Sequence, residues 1–383
     1  MRIIVAPDSF KGSASAVAVA EAVGRGIKRV FPEAEVCQVP IADGGEGTVE
    51  AMVAATGGKV IETVVKDPLG RDITAAWGIL GDQKTAVIEM AAASGLPLLK
   101  KEERNPLKTS TYGTGQLIRA ALDAGVQRIV IGIGGSATND GGAGMARALG
   151  VRFLAADGSE IAEGGGALAE LARIDLSGCD PRLQTTEILT ACDVDNPLCG
   201  AHGASAVYGP QKGATPELVQ VLDAALEHFG RIAEVATGRQ VMLTAGAGAA
   251  GGLGAGLLSF TEASLHPGIE VVLETVGFEQ LLKGADLVIT GEGNTDFQTA
   301  CGKAPVGVAR LAGQAGVPVL CLSGGLGKGA DEVLEHGIDA LMSILPRPMD
   351  LEDCMAQSEM LIEEAAVRML RLVKTGIQMG KCV

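Results

Sequence analysis

The chain begins with an apolar run, "RIIVAPD", short enough for a buried strand, and then changes period. In "SASAVAVAEAVGRGIKRVF", Ala16, Val19, Val23, Ile27 and Val30 share one helical face ahead of Pro32, with Ser13 or Ser15 placed to cap the first turn. "AEVCQVPIAD" and "GTVEAMVAATGG" repeat the strand and helix, giving a βαβα start. From Lys59 to Ala91 three strand-like runs are divided by "DPLG" and "GDQ", the turn signals of an antiparallel meander. A helix near "GTGQLIRAALDAG", a strand "RIVIGI", a helix near "GAGMARALG" and strands "VRFLAAD" and "EILTACDV" follow. After Ala285, strands "ADLVITG", "VPVLCLSG" and "IDALMSIL" alternate with helices starting near Pro305 and Asp331, and an amphipathic segment, 351–375, closes the pattern.

The first and last stretches each have the form of half a doubly wound sheet. The predicted fold class is therefore α/β with two α/β domains: a discontinuous, Rossmann-like, doubly wound parallel-sheet domain (1–57 and 285–383) and an inserted mixed α+β domain (58–284), with an active cleft between them. A length of 383 residues exceeds one ordinary core, and the lack of repeats or low-complexity linkers favours insertion over beads on a string.

Composition sharpens this picture. With 47% hydrophobic but 3% aromatic residues, the interior must be built from Ala, Val, Leu and Ile, as in helices packed on a parallel sheet. The 55 glycines collect at the ends of apolar runs, where backbone amides can approach a ligand. A net charge of −15 argues against nucleic acid as a partner, since such binding needs a basic footprint. The eight cysteines show no C-x-x-C pair or metal-ligand spacing and are expected to be reduced thiols of a cytoplasmic protein. "MRIIVAPDSF" lacks the apolar core of a signal peptide and no run reaches membrane-spanning length, so no membrane partner is expected.

Ligands of open parallel sheets bind at the carboxyl ends of strands, where the reactive residue types of this chain collect. The predicted strand ends carry "PDSFKGS" (Asp8, Ser9, Lys11), "ADGGEGT" (Asp43, Gly44, Gly45), "GGSATNDGG" (Gly134, Gly135, Ser136, Thr138, Asn139), "CDVDNP" (Asp193), "GEGNTDFQTACGK" (Gly291, Glu292, Asp296, Gln298, Thr299, Lys303) and "SGGLGKG". Each alone reads as a turn. Together, glycines joined to acids, amides, hydroxyls and lysines at six strand ends read as an active site. "GIGGSA" has the form of a dinucleotide fingerprint with Asp157 downstream, which keeps a Rossmann-type NAD-dependent dehydrogenase open, although acids crowd the place of the pyrophosphate. The Walker A pattern is absent, the four histidines share no ligand spacing, and Ser136 lies outside a nucleophile elbow. An acid-rich, glycine-rich, lysine-dotted site without histidine suits phosphoryl transfer assisted by Mg²⁺.

"APDSFKGS", "ADGGEGTVEAM", "IEMAAASGL", "GIGGSATNDGGAGM", "ACDVDNPL", "GPQKGA", "GAGAAGG" and "TGEGNTDFQTACGKAPVGVA", in this order, are similar to motifs of the bacterial glycerate kinase type 1 family, over about Arg2 to Ile344. The resemblance implies transfer of the ATP γ-phosphate to D-glycerate, usually giving 2-phosphoglycerate, by two α/β domains, one inserted in the other. Many members carry an Arg after "GEG" where this chain has Asn294 and Thr295, so no phosphate contact is carried over there. ATP and glycerate together bring about five negative charges, and two unit charges about 4 Å apart repel by about 4 kcal/mol at an effective dielectric near 20. Lys11, Lys212 and Lys303, with Mg²⁺, are expected to offset this, and the "GGSATNDGG" amides to hold phosphates. Asp8, Ser9, Gly44 and Gly45 are expected at the substrates, and Arg71 or Arg104 at the glycerate carboxylate.

Asp193 and Asp296 are the candidate bases, with Lys11 as catalytic cation and Asp43 and Glu292 as metal partners. Glycine pairs at "GEG" are read as a turn that brings backbone to an anion, with Asp296, Gln298 and Thr299 facing the same ligand. The same kinase giving 3-phosphoglycerate and a non-catalytic sugar-acid binding protein remain the alternatives. Oligomeric state, a homo-oligomer included, is not readable.

Overall fold

The structure, a computed structural model, describes residues 1–300 and 302–380. Cys301 and Cys382 lie outside the described residues; Cys37, Cys179, Cys192, Cys199, Cys321 and Cys354 are unpaired thiols. The chain divides into two compact units. Unit 1 comprises Met1–Asp43, Glu50–Gly57 and the chain from Val272 onward; unit 2 comprises Gly44–Val49 and Gly58–Val271.

Strands in chain order are β1 (Arg2–Pro7), β2 (Glu35–Gln38), β3 (Lys59–Lys66), β4 (Asp72–Ile79), β5 (Thr85–Glu89), β6 (Arg128–Gly132) and β7 (Arg152–Leu154). They continue with β8 (Arg173–Asp175), β9 (Glu187–Ala191), β10 (Ala263–His266), β11 (Leu287–Thr295), β12 (Val319–Leu326) and β13 (Ala340–Ser343). Unit 1 is built on a five-stranded sheet in the order β13-β12-β11-β1-β2, and every neighbouring pair is parallel. Ile3, Ile4 and Val5 are fully buried, as a strand covered on both faces requires. Helix Ala16–Val30 starts where Ser15 accepts the amide of Ala18 at 3.3 Å, and it buries Val19, Val23, Ile27 and Val30 against the sheet and against Ile362, Ala366 and Leu370 of helix Ser358–Gly380. Each such side chain contributes roughly 1.5–3 kcal/mol. On the outer rim Arg25 and Arg29 pair with Glu363 at 2.8 and 2.9 Å.

Unit 2 carries a six-stranded sheet in the order β10-β9-β6-β5-β4-β3. The meander signalled by "DPLG" and "GDQ" gives the antiparallel pairs β3–β4 and β4–β5, after which β5–β6, β6–β9 and β9–β10 are parallel. Trp77 is 2% exposed at the heart of a core with Ile88, Ile118, Ile131 and Leu253. A second core gathers Phe153, Phe229 and Phe260 under helix Pro216–Thr237.

Two expectations about elements are corrected. "GEG" is not a turn: β11 runs through it to Thr295, pairing Gly291, Glu292, Asn294 and Thr295 with Leu322, Ser323, Gly325 and Leu326 of β12. The glycine at 291 answers to this close approach, since a Cβ there would sit 2.1 Å from the Leu322 carbonyl oxygen. Likewise "SGGLG" is no strand-end loop, because β12 continues to Leu326.

Candidate active site

In unit 1 the carboxyl ends of β1 and β11 open into a cavity of about 720 Å³. Its charged half is lined by Asp8, Lys11, Asp43, Glu292, Asp296 and Lys303, with Ser9 and Asn294 beside them. Parallel pairing creates this half: β1 ends at Pro7, level with Gly291, so Asp8 and Ser9 emerge beside the continuing end of β11 that carries Glu292 and Asn294, and the Asp8 amide donates to the Gly291 carbonyl at 2.8 Å.

The carboxylates are held unusually. Asp8 is 9% exposed, and burial, then the nearby Asp43 carboxylate, push its carboxyl up to about 6, against the Ser9 amide at 2.6 Å and Lys11. Glu292 is 7% exposed and also pushed up by burial, while hydroxyls of Thr299 (2.6 Å) and Thr295 (3.0 Å) donate to its Oε1 and pull the other way. Thr295 in turn bonds Ser323 at 2.6 Å, a buried hydroxyl chain fixing Glu292 from below. Thr299 therefore serves the Glu292 carboxylate from a fully buried position, where it had been expected to face a ligand. Asp296 accepts the Gln298 amide at 2.9 Å and the Asn294 side-chain amide at 3.1 Å, which fixes both of its oxygens; Gln298 itself is exposed and lies 3.5 Å from Lys303 Nζ.

Among the described residues no three acidic, histidine or cysteine side chains form a ready metal cage. The donor set, all carboxylate oxygen, still fits Mg²⁺, which takes one or two carboxylates and completes its shell with waters and substrate phosphates. Asp8, Asp43 and Glu292 are the residues that would hold it, and the raised carboxyl groups of Asp8 and Glu292 are what a cation would relieve.

In unit 2 the glycine-rich loop follows β6. Gly134 and Gly135 are exposed, whereas Ser136, Thr138 and Asn139 are buried. The side chain that shapes this loop is Asp140, absent from the candidates read from sequence. It is 1% exposed and accepts the Thr111 amide (2.8 Å), the Thr111 hydroxyl (2.9 Å) and the amides of Gly142 (3.1 Å) and Gly144 (3.2 Å). These donors offset part of a burial cost that still raises its carboxyl. Its place inside "NDGG", an acid flanked by amides that can turn back on it, was the available signal.

Lys212 is 1% exposed, its Nζ donates to the Thr138 carbonyl at 2.7 Å, and burial pushes it down to about 7 despite the Asp140 carboxylate. Its ammonium thus supports the loop from inside. Asn139 donates to Ser205 at 3.0 Å. Asp193 is exposed and one of its oxygens accepts the Gly268 amide at 2.7 Å, at the first residue of helix Gly268–Thr275. Gly44 packs on the ends of β6 and β9: a Cβ there would lie 2.5 Å from that of Ala191, and one on Gly132 would lie 2.1 Å from the Gly44 carbonyl oxygen. Nearby, the Val49 amide donates to Glu89 at 2.8 Å, so a carboxylate of the protein already sits where an anion was expected. Arg71 is committed to Asp67 and Glu103, at 2.5 and 2.8 Å, and Arg104 has its Nε buried without a hydrogen-bond partner among the described residues. Asp157, the ribose-binding residue of the dehydrogenase alternative, closes an exposed turn onto Ser159.

Comparison with known proteins completes the picture. The chain is 55% identical over 381 residues to the glycerate kinase of Bacillus subtilis, covering 100% of this chain and 99% of that one. It is 51% identical over 345 residues to the glycerate 2-kinase of Escherichia coli, covering 90% and 91%. A crystal structure of the protein named as glycerate kinase 2 in Salmonella typhimurium superposes with a TM-score of 0.92 at 49% identity, over 99% of each chain. These likenesses place the chain among phosphotransferases with an alcohol group as acceptor. It belongs to the glycerate kinase family, whose model matches residues 3–374. Among the described residues no helix is long and apolar enough to cross a membrane.

Proposed function

We propose that this enzyme transfers the γ-phosphate of ATP to D-glycerate, giving 2-phosphoglycerate and ADP by direct in-line transfer with Mg²⁺, and that units 1 and 2 are the two domains of the enzyme, the second inserted in the first. The observation that carries this reading is the charged half of the unit 1 cavity, where Lys11 and Lys303 share a wall with the buried carboxylates Asp8 and Glu292. Cations alone would suit any anion, and carboxylates alone any cation. Both together suit a metal-bound polyphosphate. The relative named glycerate 2-kinase supports the choice of hydroxyl.

In the step itself the glycerate hydroxyl oxygen bonds to the γ-phosphorus, the bond to the β,γ-bridging oxygen breaks, and the hydroxyl proton passes to a carboxylate. Bound Mg²⁺ supplies charge neutralisation at the phosphates. Lys11 and Lys303 are placed to hold phosphate oxygens, and Asp8, Asp43 and Glu292 would hold the metal. Asp296, oriented by two donors, and Asp193, oriented by the Gly268 amide, are the carboxylates available to take the proton. Exposed Gly134 and Gly135 offer backbone to phosphate in unit 2, over a loop braced by Asp140 and Lys212.

Phosphorus NMR of the product made from Mg-ATP and D-glycerate tests the reading. A resonance coupled to the proton on carbon 2 is expected; coupling to the carbon 3 methylene would show 3-phosphoglycerate, and absence of glycerate-dependent ADP release would overturn the kinase reading.

A further inference from the structure

The unit 1 cavity has a second half that the chemistry above leaves unused. Beside its charged residues it is lined by Ile344, Leu345, Met349, Leu351, Cys354 and Met355. Helix Leu351–Ala356 buries none of its residues, yet it presents Leu351, 74% exposed, and Met355, 37% exposed, along the cavity. Ile344 belongs to the unit 1 core and Leu345, Met349 and Cys354 pack against it, so the wall is anchored from behind while Leu351 and Met355 extend its apolar surface along the cavity. This surface is seated directly on the first strand-end loop, since the Met355 methyl lies 3.1 Å from where a Cβ on Gly12 would stand.

Resting on the reading that ATP is the phosphoryl donor, we propose that this aliphatic and thioether wall is the nucleoside subsite, holding the adenine ring while the triphosphate crosses to Lys11 and Lys303. Three features favour a base. A cavity of about 720 Å³ falls in the range of roughly 300–1,000 Å³ that encloses drug-sized ligands, far beyond what a three-carbon acid fills. Its two halves differ in chemistry as the two halves of a nucleotide do: charged where phosphates would lie, apolar where a flat heterocycle would. Thioethers, unbranched and polarisable, suit the face of an aromatic ring. Glycerate, polar on every carbon, has no use for such a wall.

Cys354 is a native reporter within the wall, partly exposed. The test is the rate of its alkylation by N-ethylmaleimide, followed by peptide mass mapping on the whole enzyme, with Cys37 and Cys199 as internal references. Saturating Mg-ADP is expected to slow Cys354 about tenfold or more, whereas inorganic tripolyphosphate, which can fill only the charged half, and D-glycerate leave it within about twofold. ADP bound by calorimetry with Cys354 unprotected would overturn the subsite, as would equal protection by tripolyphosphate, which would report a closure of the chain and not a base. A second arm uses Leu351→Glu, a change at an exposed position, expected to raise KM for ATP about tenfold or more while KM for glycerate moves far less; an unchanged KM for ATP sinks the proposal. If glycerate-dependent turnover is present and Cys354 fails to respond to bound ADP, the subsite alone fails; if turnover is absent, the kinase reading fails, and the alkylation rates still decide whether a nucleotide occupies the wall.

Discussion

Replacing Asp8 by Asn tests whether the unit 1 cavity stores charge strain that only a cation and its phosphates relieve. The carboxyl is raised from an ordinary 3.8 to about 6, a difference of roughly two units, or about 3 kcal/mol of stability at full ionisation. The sign follows from which state keeps its proton longer. Between about pH 4 and 6 the folded protein holds the Asp8 proton while the unfolded chain has released it, so stability falls as pH rises through this window. Asn retains an oxygen for the Ser9 amide, now at 2.6 Å, and carries no charge. Asp8→Asn is therefore expected to be more stable than the parent by about 3 kcal/mol at pH 7 and by about 1 kcal/mol at pH 4.5, read from urea denaturation. Saturating Mg-ADP should narrow or invert the pH 7 gap, because a ligand at about a hundred times its Kd adds about 2.7 kcal/mol to the protein that binds it, and the variant binds it less well. A variant no more stable than the parent at pH 7, or one whose gain is the same at both pH values, would refute the reasoning.

Other perturbations address the remaining groups. Asp193→Asn keeps an oxygen for the Gly268 amide, and Asp296→Asn keeps one for the Gln298 amide while giving up only the acceptor of the exposed Asn294 side chain, so both should fold, yet each is expected to lower kcat about a hundredfold; parent rates in steady-state assays of both would remove them from the role of base. Thr299→Val deprives buried Glu292 of its 2.6 Å donor and should destabilise the protein by about 1–3 kcal/mol, seen as a lower urea midpoint at unchanged slope. Lys212→Ala leaves both a void and an unpaired Thr138 carbonyl, with an expected loss of about 2–4 kcal/mol; a loss well below 1 kcal/mol would show that the ammonium does not brace the loop.

Much of the scaffold was legible because apolar runs and turn chemistry are local signals. "RIIVAP" and "LVIT" announce buried strands, and "DPLG" announces the β3–β4 hairpin. Helix Pro216–Thr237, missing from the predicted elements, carried its own markers in the Thr215 cap and Pro216 at its start, whereas four-residue, half-buried β10 gave little to read. The candidate site was legible as residue types and not as arrangement. Gly291 was read as a turn, but its cause is the Leu322 carbonyl; Gly44 does hold the positive φ of 90° that a turn asks of glycine, and it also abuts the Ala191 side chain, a neighbour that only the folded chain brings near. Burial of Lys212 and Thr299 is equally a tertiary property. The segment from Met349 to Met355 has the apolar spacing of a packing face, and nothing local tells a core from a cavity wall.

The six-residue strip Gly44–Val49 belongs to unit 2 although the chain on both sides of it belongs to unit 1. Unit 2 is thus not one uninterrupted length of polypeptide. A gene fragment encoding 58–271 would lack the glycine that caps the ends of β6 and β9 and the amide that satisfies Glu89. Dissection of this enzyme into halves therefore has to supply that strip separately, as a peptide in trans or through a rejoined reading frame, before the larger half is judged able to fold by itself.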